Sequence, residues 1–193
     1  MRVLLLFAHP VETSFSAALH RVTLEALRAS GHDVDDCDLN AEGFSPVLTR
    51  AERIDYHDPA KNRAYAGPYV DRLLRAEALV LVFPVWNYGY PAILKGFFDR
   101  VFLPGVSFTL ENGVLKPTLH NIGKLAAVTT YGGSRLTTIL MGDPPRRHFK
   151  RSLRLNVKPG ASATYLALYD MNRATDAGCK RFLAKVGRVM RQF

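Results

Sequence analysis

Five short strand-like runs alternating with amphipathic segments constrain this chain more than any other feature. The runs are Val3–Ala8, Val34–Leu39, Ala78–Pro84, Lys124–Thr130 and Ala163–Leu168. The first and third are continuously apolar, as strands buried on both faces are. Val34–Leu39 carries acidic residues and suits a partly exposed edge. A segment capped by Ser14 or Thr13 and running to about Ala29 places Phe15, Ala18, Leu19, Val22, Ala26 and Leu27 at helical spacing. Tyr69–Ala76, Pro91–Phe102, Arg146–Leu155 and Thr175–Met190 read as further helices. In the last of them Phe182, Leu183, Val186 and Met190 face inward. Alternation repeated five times predicts an α/β fold: an open, doubly wound parallel sheet between two helical layers. Five strands favour the order 2-1-3-4-5.

At 193 residues, 48% hydrophobic and 22% charged, the chain is long enough for one domain, 1–193, with a sizeable core. The one stretch that fits no element is about 40–68, with Pro46, Pro59, Pro68, Gly43 and Gly67. It reads as a long functional loop or partner-binding arm, with a short helix at Thr49–His57. The two cysteines, Cys37 and Cys179, form no CxxC pair, which excludes a disulfide scaffold or zinc ribbon. The histidines fall in no metal-ligand spacing, and no metal is expected. No apolar run can cross a bilayer, so no membrane insertion is expected. Val3–Ala8 ends at His9-Pro10 without a cleavage site and reads as a strand, with a cytoplasmic, reduced setting as the expectation.

The net charge is +9, and it is uneven. Residues 1–134 hold 13 basic and 14 acidic side chains, whereas residues 135–193 hold 13 basic and 3 acidic. Such a field attracts phosphate-bearing ligands, anionic membranes or nucleic acid, or simply solvates a helix face. Neither zinc-finger spacing nor an RNP-like aromatic pattern supports nucleic acid, and none is expected as a partner.

In a sheet of this order, ligands lie beyond the carboxyl ends of the strands, where the order switches between strands one and three. Three loops fall on that edge. His9–Ser16 joins a strand to a helix N-terminus, and its free N–H groups with Thr13, Ser14 and Ser16 suit an anion. It has no Gly-rich nucleotide motif. Phe83–Pro91 (FPVWNYGYP) crowds the only Trp and two Tyr among Pro and Gly, which suits a flat ring. Thr129–Ser134 has two glycines through which backbone amides can approach a ligand.

On Leu6–Ala17 (LFAHPVETSFSA), Phe83–Phe102 (FPVWNYGYPAILKGFFDRVF) and Thr129–Gly133 (TTYGG), the sequence resembles the flavodoxin-like NAD(P)H:quinone oxidoreductases. That family includes DT-diaphorase and the ancillary oxidoreductases of bacterial potassium-efflux systems. The resemblance implies a flavodoxin-like fold and a flavin-dependent enzyme passing two electrons from NAD(P)H to a quinone. His9, Thr13, Ser14, Phe15, Ser16 and Ala17 would hold the flavin phosphate. Pro84, Val85, Trp86, Asn87, Tyr88 and Gly89 would lie along the ring. Thr130, Tyr131, Gly132 and Gly133 would face its pyrimidine side, with Tyr131, Gly132 and Gly133 as the catalytic groups. The cofactor is read as FMN with FAD as the alternative, and the assembly as a homodimer. Some members carry a proton-donating Tyr and His after the double glycine. Here Leu136 or Thr137 and Met141 stand there, leaving Thr137, Asp143 or Tyr131 as substitutes. Arg135, Arg146 and Arg147 either meet an NADPH phosphate or stay solvated. A flavin-binding carrier or regulatory subunit serving a protein partner is the alternative function. A non-flavin nucleotide module rests only on the basic last third.

Overall fold

The computed structural model describes residues 1–193. Strand β1 (Arg2–Phe7) is followed by α1 (Phe15–Ala29), β2 (Asp33–Asp38), α2 (Arg50–Asp55), α3 (Gly67–Arg75), β3 (Ala78–Val85) and α4 (Ala92–Val101). A hairpin of β4 (Phe108–Glu111) and β5 (Val114–Pro117) comes next, then β6 (Lys124–Tyr131), α5 (Arg135–Leu140) and α6 (Pro144–Arg147). A π-helical stretch, His148–Leu153, runs into α7 (Arg154–Asn156). Strand β7 (Ser162–Leu168) and α8 (Asp176–Met190) complete the chain. The main sheet is parallel in the order β2-β1-β3-β6-β7, which among the five core strands is 2-1-3-4-5 as expected.

Alternation along the strands divides the core into two layers. Leu4, Leu6, Leu79, Leu81, Phe83 and Leu125 face Val70 and Leu73 of α3, Leu94 and Phe97 of α4, and Phe149 and Leu153. Val3, Leu5, Phe7, Val80, Val82 and Val128 face Leu19 and Leu27 of α1 and Phe182, Val186 and Met190 of α8. This three-layer packing brings the carboxyl ends of β1, β3 and β6 side by side.

The acidic β2 is explained by Arg72 of α3. Its guanidinium bonds Asp35 at 2.7–3.0 Å and Glu42 at 2.7–2.9 Å, and reaches the carbonyl of Asp36. A planar donor fork with two carboxylates suits this arrangement. Cys37 is fully buried on the same strand, and burial pushes its thiol up.

Residues 40–68 pack onto α4 more closely than a loose arm would. Phe44 is buried against Phe97, and α2 opens with a capping box between Thr49 and Glu52. The Arg100 guanidinium donates to Glu52 at 2.6 Å, and both side chains are nearly buried. Burial alone would raise the Glu52 carboxyl, but the Thr49 N–H and hydroxyl and Arg100 hold it below its ordinary range. The stability it contributes is therefore present above its unfolded pKa, about 4.3, and lost as pH falls through the depressed folded value. We expect Glu52→Gln to cost about 2 kcal/mol near neutrality. It should also flatten the acid branch of stability against pH, measured by urea unfolding from pH 3 to 7. An unchanged acid branch would contradict this assignment.

The structure departs from the sequence reading in three places. Phe108–Pro117 forms a hairpin where none was expected, a helix α5 follows the double glycine, and the helix expected at Arg146–Leu155 starts at Pro144 and passes through π-helical turns.

Candidate functional site

The first loop leaves β1 at Ala8. His9 Nδ1 accepts the Val11 N–H at 3.0 Å, which leaves Nε2 as the donor of the neutral ring. Ser14 caps α1, its hydroxyl accepting the Ala17 N–H at 3.1 Å. The Ala17 amide is thus already taken, while those of Phe15 and Ser16 have no acceptor within the protein. Ser16 and Ala17 are buried, so a ligand meets them through backbone. No acidic residue stands in the first turn of α1, and its positive end is left uncompensated.

The second loop is a tight reversal. Trp86 and Gly89 exchange two backbone hydrogen bonds, 3.2 and 2.8 Å, around Asn87 and Tyr88. Both central residues are left-handed, with φ of 47° and 56°. Two successive non-glycine residues in that region define a type I′ turn held at a conformational cost. Trp86 and Tyr88 remain 46% and 38% exposed, so the turn presents aromatic surface rather than burying it. Pro84 instead lies within β3, buried and paired with Thr130 of β6. Those two form the floor under the loops.

The third loop continues β6 into Gly132 and Gly133, whose N–H groups have no acceptor within the protein. A Cβ on Gly132 would come within 3.2 Å of the Asn172 side chain. Tyr131 lines the same cavity as Gly132 and Gly133, but its hydroxyl is already engaged. Its side chain is 2% exposed, and its hydroxyl is bonded to Asp143 and to Tyr165, each at 2.6 Å. Burial first, then Tyr165 and Asp143, push this phenol far up. Tyr131→Phe should therefore cost about 2 kcal/mol in chemical denaturation, because it leaves a buried carboxylate short of a donor. A neutral outcome would mean Asp143 is satisfied otherwise.

The three loops meet. The rings of His9 and Trp86 lie 5.6 Å apart, joining the first loop to the second. Val85, Asn87 and Tyr88 share a cavity of about 190 Å3 with Gly132 and Gly133, joining the second to the third. Thr138 and Asn172 line the same cavity and were not singled out in the sequence. Asn172 follows β7, and no local motif marks it. Leu136 and Met141, at the positions of the absent Tyr and His, are exposed. Of the candidate arginines, Arg146 lies over the Tyr165 ring at 5.6 Å, and Arg135 and Arg147 are exposed. The parts present fit a flavin: unpaired amides at two loops, a capped but uncompensated helix end, and a cavity walled by an aromatic turn and two glycines.

A doubly wound sheet of this order, with ligand loops at the switch between β1 and β3, defines a flavodoxin-like protein. Residues 1–154 match the flavodoxin-like fold family, and the chain belongs to it. The chain is 32% identical over 157 residues to NAD(P)H dehydrogenase (quinone) 1 of Cavia porcellus, covering 73% of this chain and 57% of that protein. It is 29% identical over 147 residues to the uncharacterized NAD(P)H oxidoreductase YcaK of Escherichia coli K12, covering 73% and 69%. The match spans just over half the length of the rat and guinea-pig quinone dehydrogenases, 56% and 57%. Among solved structures, the NAD(P)H:quinone oxidoreductase from Methanothermobacter marburgensis superposes with a TM-score of 0.82 at 26% identity, covering 100% of this chain and 96% of that one. Smu.1420 from Streptococcus mutans superposes at 0.83 with 28% identity over the whole of both chains.

Proposed function

We propose that the protein is a flavin-dependent NAD(P)H oxidoreductase acting on quinones or similar electrophiles. The observation that carries this reading is the convergence of three loops, tied by the His9–Trp86 contact and by the shared cavity. Its relatives' names point the same way. When bound, the flavin supplies reversible two-electron chemistry, accepting hydride from NAD(P)H and returning it to the acceptor.

The chain's own residues do the rest. The amides of Phe15 and Ser16, with the hydroxyls of Thr13 and Ser14, bind phosphate at the start of α1. The Trp86–Gly89 turn fixes one wall and orients the ring. The unpaired amides of Gly132 and Gly133 hold negative charge on the ring's polar edge. Thr137 bonds Ser134 at 2.9 Å in the cap of α5, and Asp143 is held by Tyr131. With those groups engaged, the proton is drawn from solvent at the open mouth.

We favour FMN over FAD, since the three loops account for a ring and a single phosphate. Leu136, Ile139, Leu140 and Met141 stand 55–75% exposed beside the mouth. That apolar rim is the face on which a second copy would complete the site as a homodimer. A cytoplasmic location accords with this chemistry, and no helix is long and apolar enough to cross a membrane.

The test is steady-state turnover. Protein reconstituted with FMN should turn over excess NADH or NADPH anaerobically only when a quinone such as benzoquinone is present. Flavin binding without reduction by either nucleotide would favour the carrier or regulatory role instead. Sedimentation should give a dimer that Leu140→Glu converts to monomer.

A further inference from the structure

The flavin loops occupy one edge of the sheet, and the opposite edge carries a feature they leave unexplained. There, residues ahead of β6 and β7, the end of β5 and the segment around α7 enclose a concavity of about 900 Å3. Lys116, Lys150, Arg151 and Arg154 stand around it, and no carboxylate lines it. Lys116 is answered by Glu111, and Arg154 gives its Nε–H to the carbonyl of Ala161 at 3.2 Å. Lys150, Arg151 and Arg154 have no ion-pair partner. Lys150 and Arg151 are carried by the π-helical stretch, a rare backbone form that recurs at functional sites.

Large aliphatic side chains stand out beside these cations. Leu155 is 72% exposed, and Val114, on the same face of β5 as Lys116, is 60% exposed. We propose that this face docks the protein on an anionic lipid surface, with headgroup phosphates among Lys150, Arg151 and Arg154 and with Leu155 and Val114 entering the interfacial layer.

The pairing of unanswered cations with protruding aliphatics is what distinguishes the occupant. An anionic bilayer rewards both. A nucleic acid would use the cations but gain nothing from Leu155 and Val114, and no Trp, Tyr or Phe lines the concavity to stack on bases. A second copy would set like charges against each other. The excess of 13 basic over 3 acidic residues in 135–193 adds attraction at longer range. The proposal is independent of the flavin reading, since it uses the other end of the sheet.

The experiment is vesicle co-sedimentation of the full chain. It compares phosphatidylcholine alone with vesicles that are about one-third phosphatidylglycerol. Binding is expected only to the anionic vesicles and should weaken with salt. The combined Lys150→Glu, Arg151→Glu and Arg154→Glu variant should lose about ten-thousandfold in affinity, which abolishes measurable binding. The milder set of glutamines, which adds no repulsion, should lose about a hundredfold with little change in melting temperature. Leu155→Ser with Val114→Ser should lose about tenfold and keep the salt dependence. Three results would overturn the proposal: wild-type protein that ignores anionic vesicles; a glutamate variant that binds as tightly as wild type; or duplex DNA captured through these residues while vesicles are not.

Discussion

Replacing Gly96 with alanine should cost about 3 kcal/mol, the upper end for overpacking a close contact. A Cβ built there lies 2.4 Å from both Cα and the carbonyl oxygen of Pro46. Both partners are backbone, so neither can swing aside as a side chain end would. The Pro46 side is also held in place, since Phe44 is buried against Phe97 and the carbonyl of Ser45 accepts from Arg100. The clash must therefore be relieved by lifting residues 44–52 from α4, which would disturb the buried Glu52–Arg100 pair. For a chain of this size the melting temperature should fall by about 9 °C. Gly123→Ala is the control, because nothing lies within 4 Å of its Cβ position and it should melt as wild type does. Equal melting temperatures for the two variants would show that residues 40–68 are not fastened to α4.

Gly133→Val should have the opposite profile, with stability kept and the cofactor lost. No atom lies within 4 Å of a Cβ at Gly133, and its backbone is not left-handed. The folded state should therefore change by less than about 0.5 kcal/mol. The same residue lines the cavity shared with Val85, Asn87 and Tyr88. A branched side chain there occupies the space proposed for the flavin edge. The affinity for FMN, measured by quenching of its fluorescence, should fall about a hundredfold or more. An unchanged affinity would place the ring elsewhere.

The main sheet was legible because its strands are short apolar runs whose period and length leave few alternatives. The meeting of the loops at one end of the sheet was legible because each follows its strand directly: Trp86, Asn87 and Tyr88 come after β3 and the glycine pair after β6. The β4–β5 hairpin was missed although its signal is local too. Asn112-Gly113 has φ of 52° and 78°, the left-handed pair that Asn-Gly supplies to two-residue hairpins. The short helix expected at Thr49–His57 was legible for the same reason: the capping box of Thr49 and Glu52 marks its start. What could not be read was assembled from distant positions. Arg72 reaches β2 from α3, Asn172 reaches Gly132 from beyond β7, and Tyr131 turns to Asp143 and Tyr165. Tyr131 illustrates the difference most clearly. Its place in the glycine loop is visible in sequence, whereas the partners that occupy its hydroxyl are set by the fold.

In the proposed function the three loops hold a flavin reducible by NAD(P)H. An absorption spectrum of the purified protein, incubated with FMN, desalted and then titrated anaerobically with NADPH and NADH, tests it most directly. The expected result is a protein-bound flavin band that bleaches with one equivalent of nucleotide and returns when a quinone is added. A protein that emerges from desalting colourless after incubation with either FMN or FAD would contradict it.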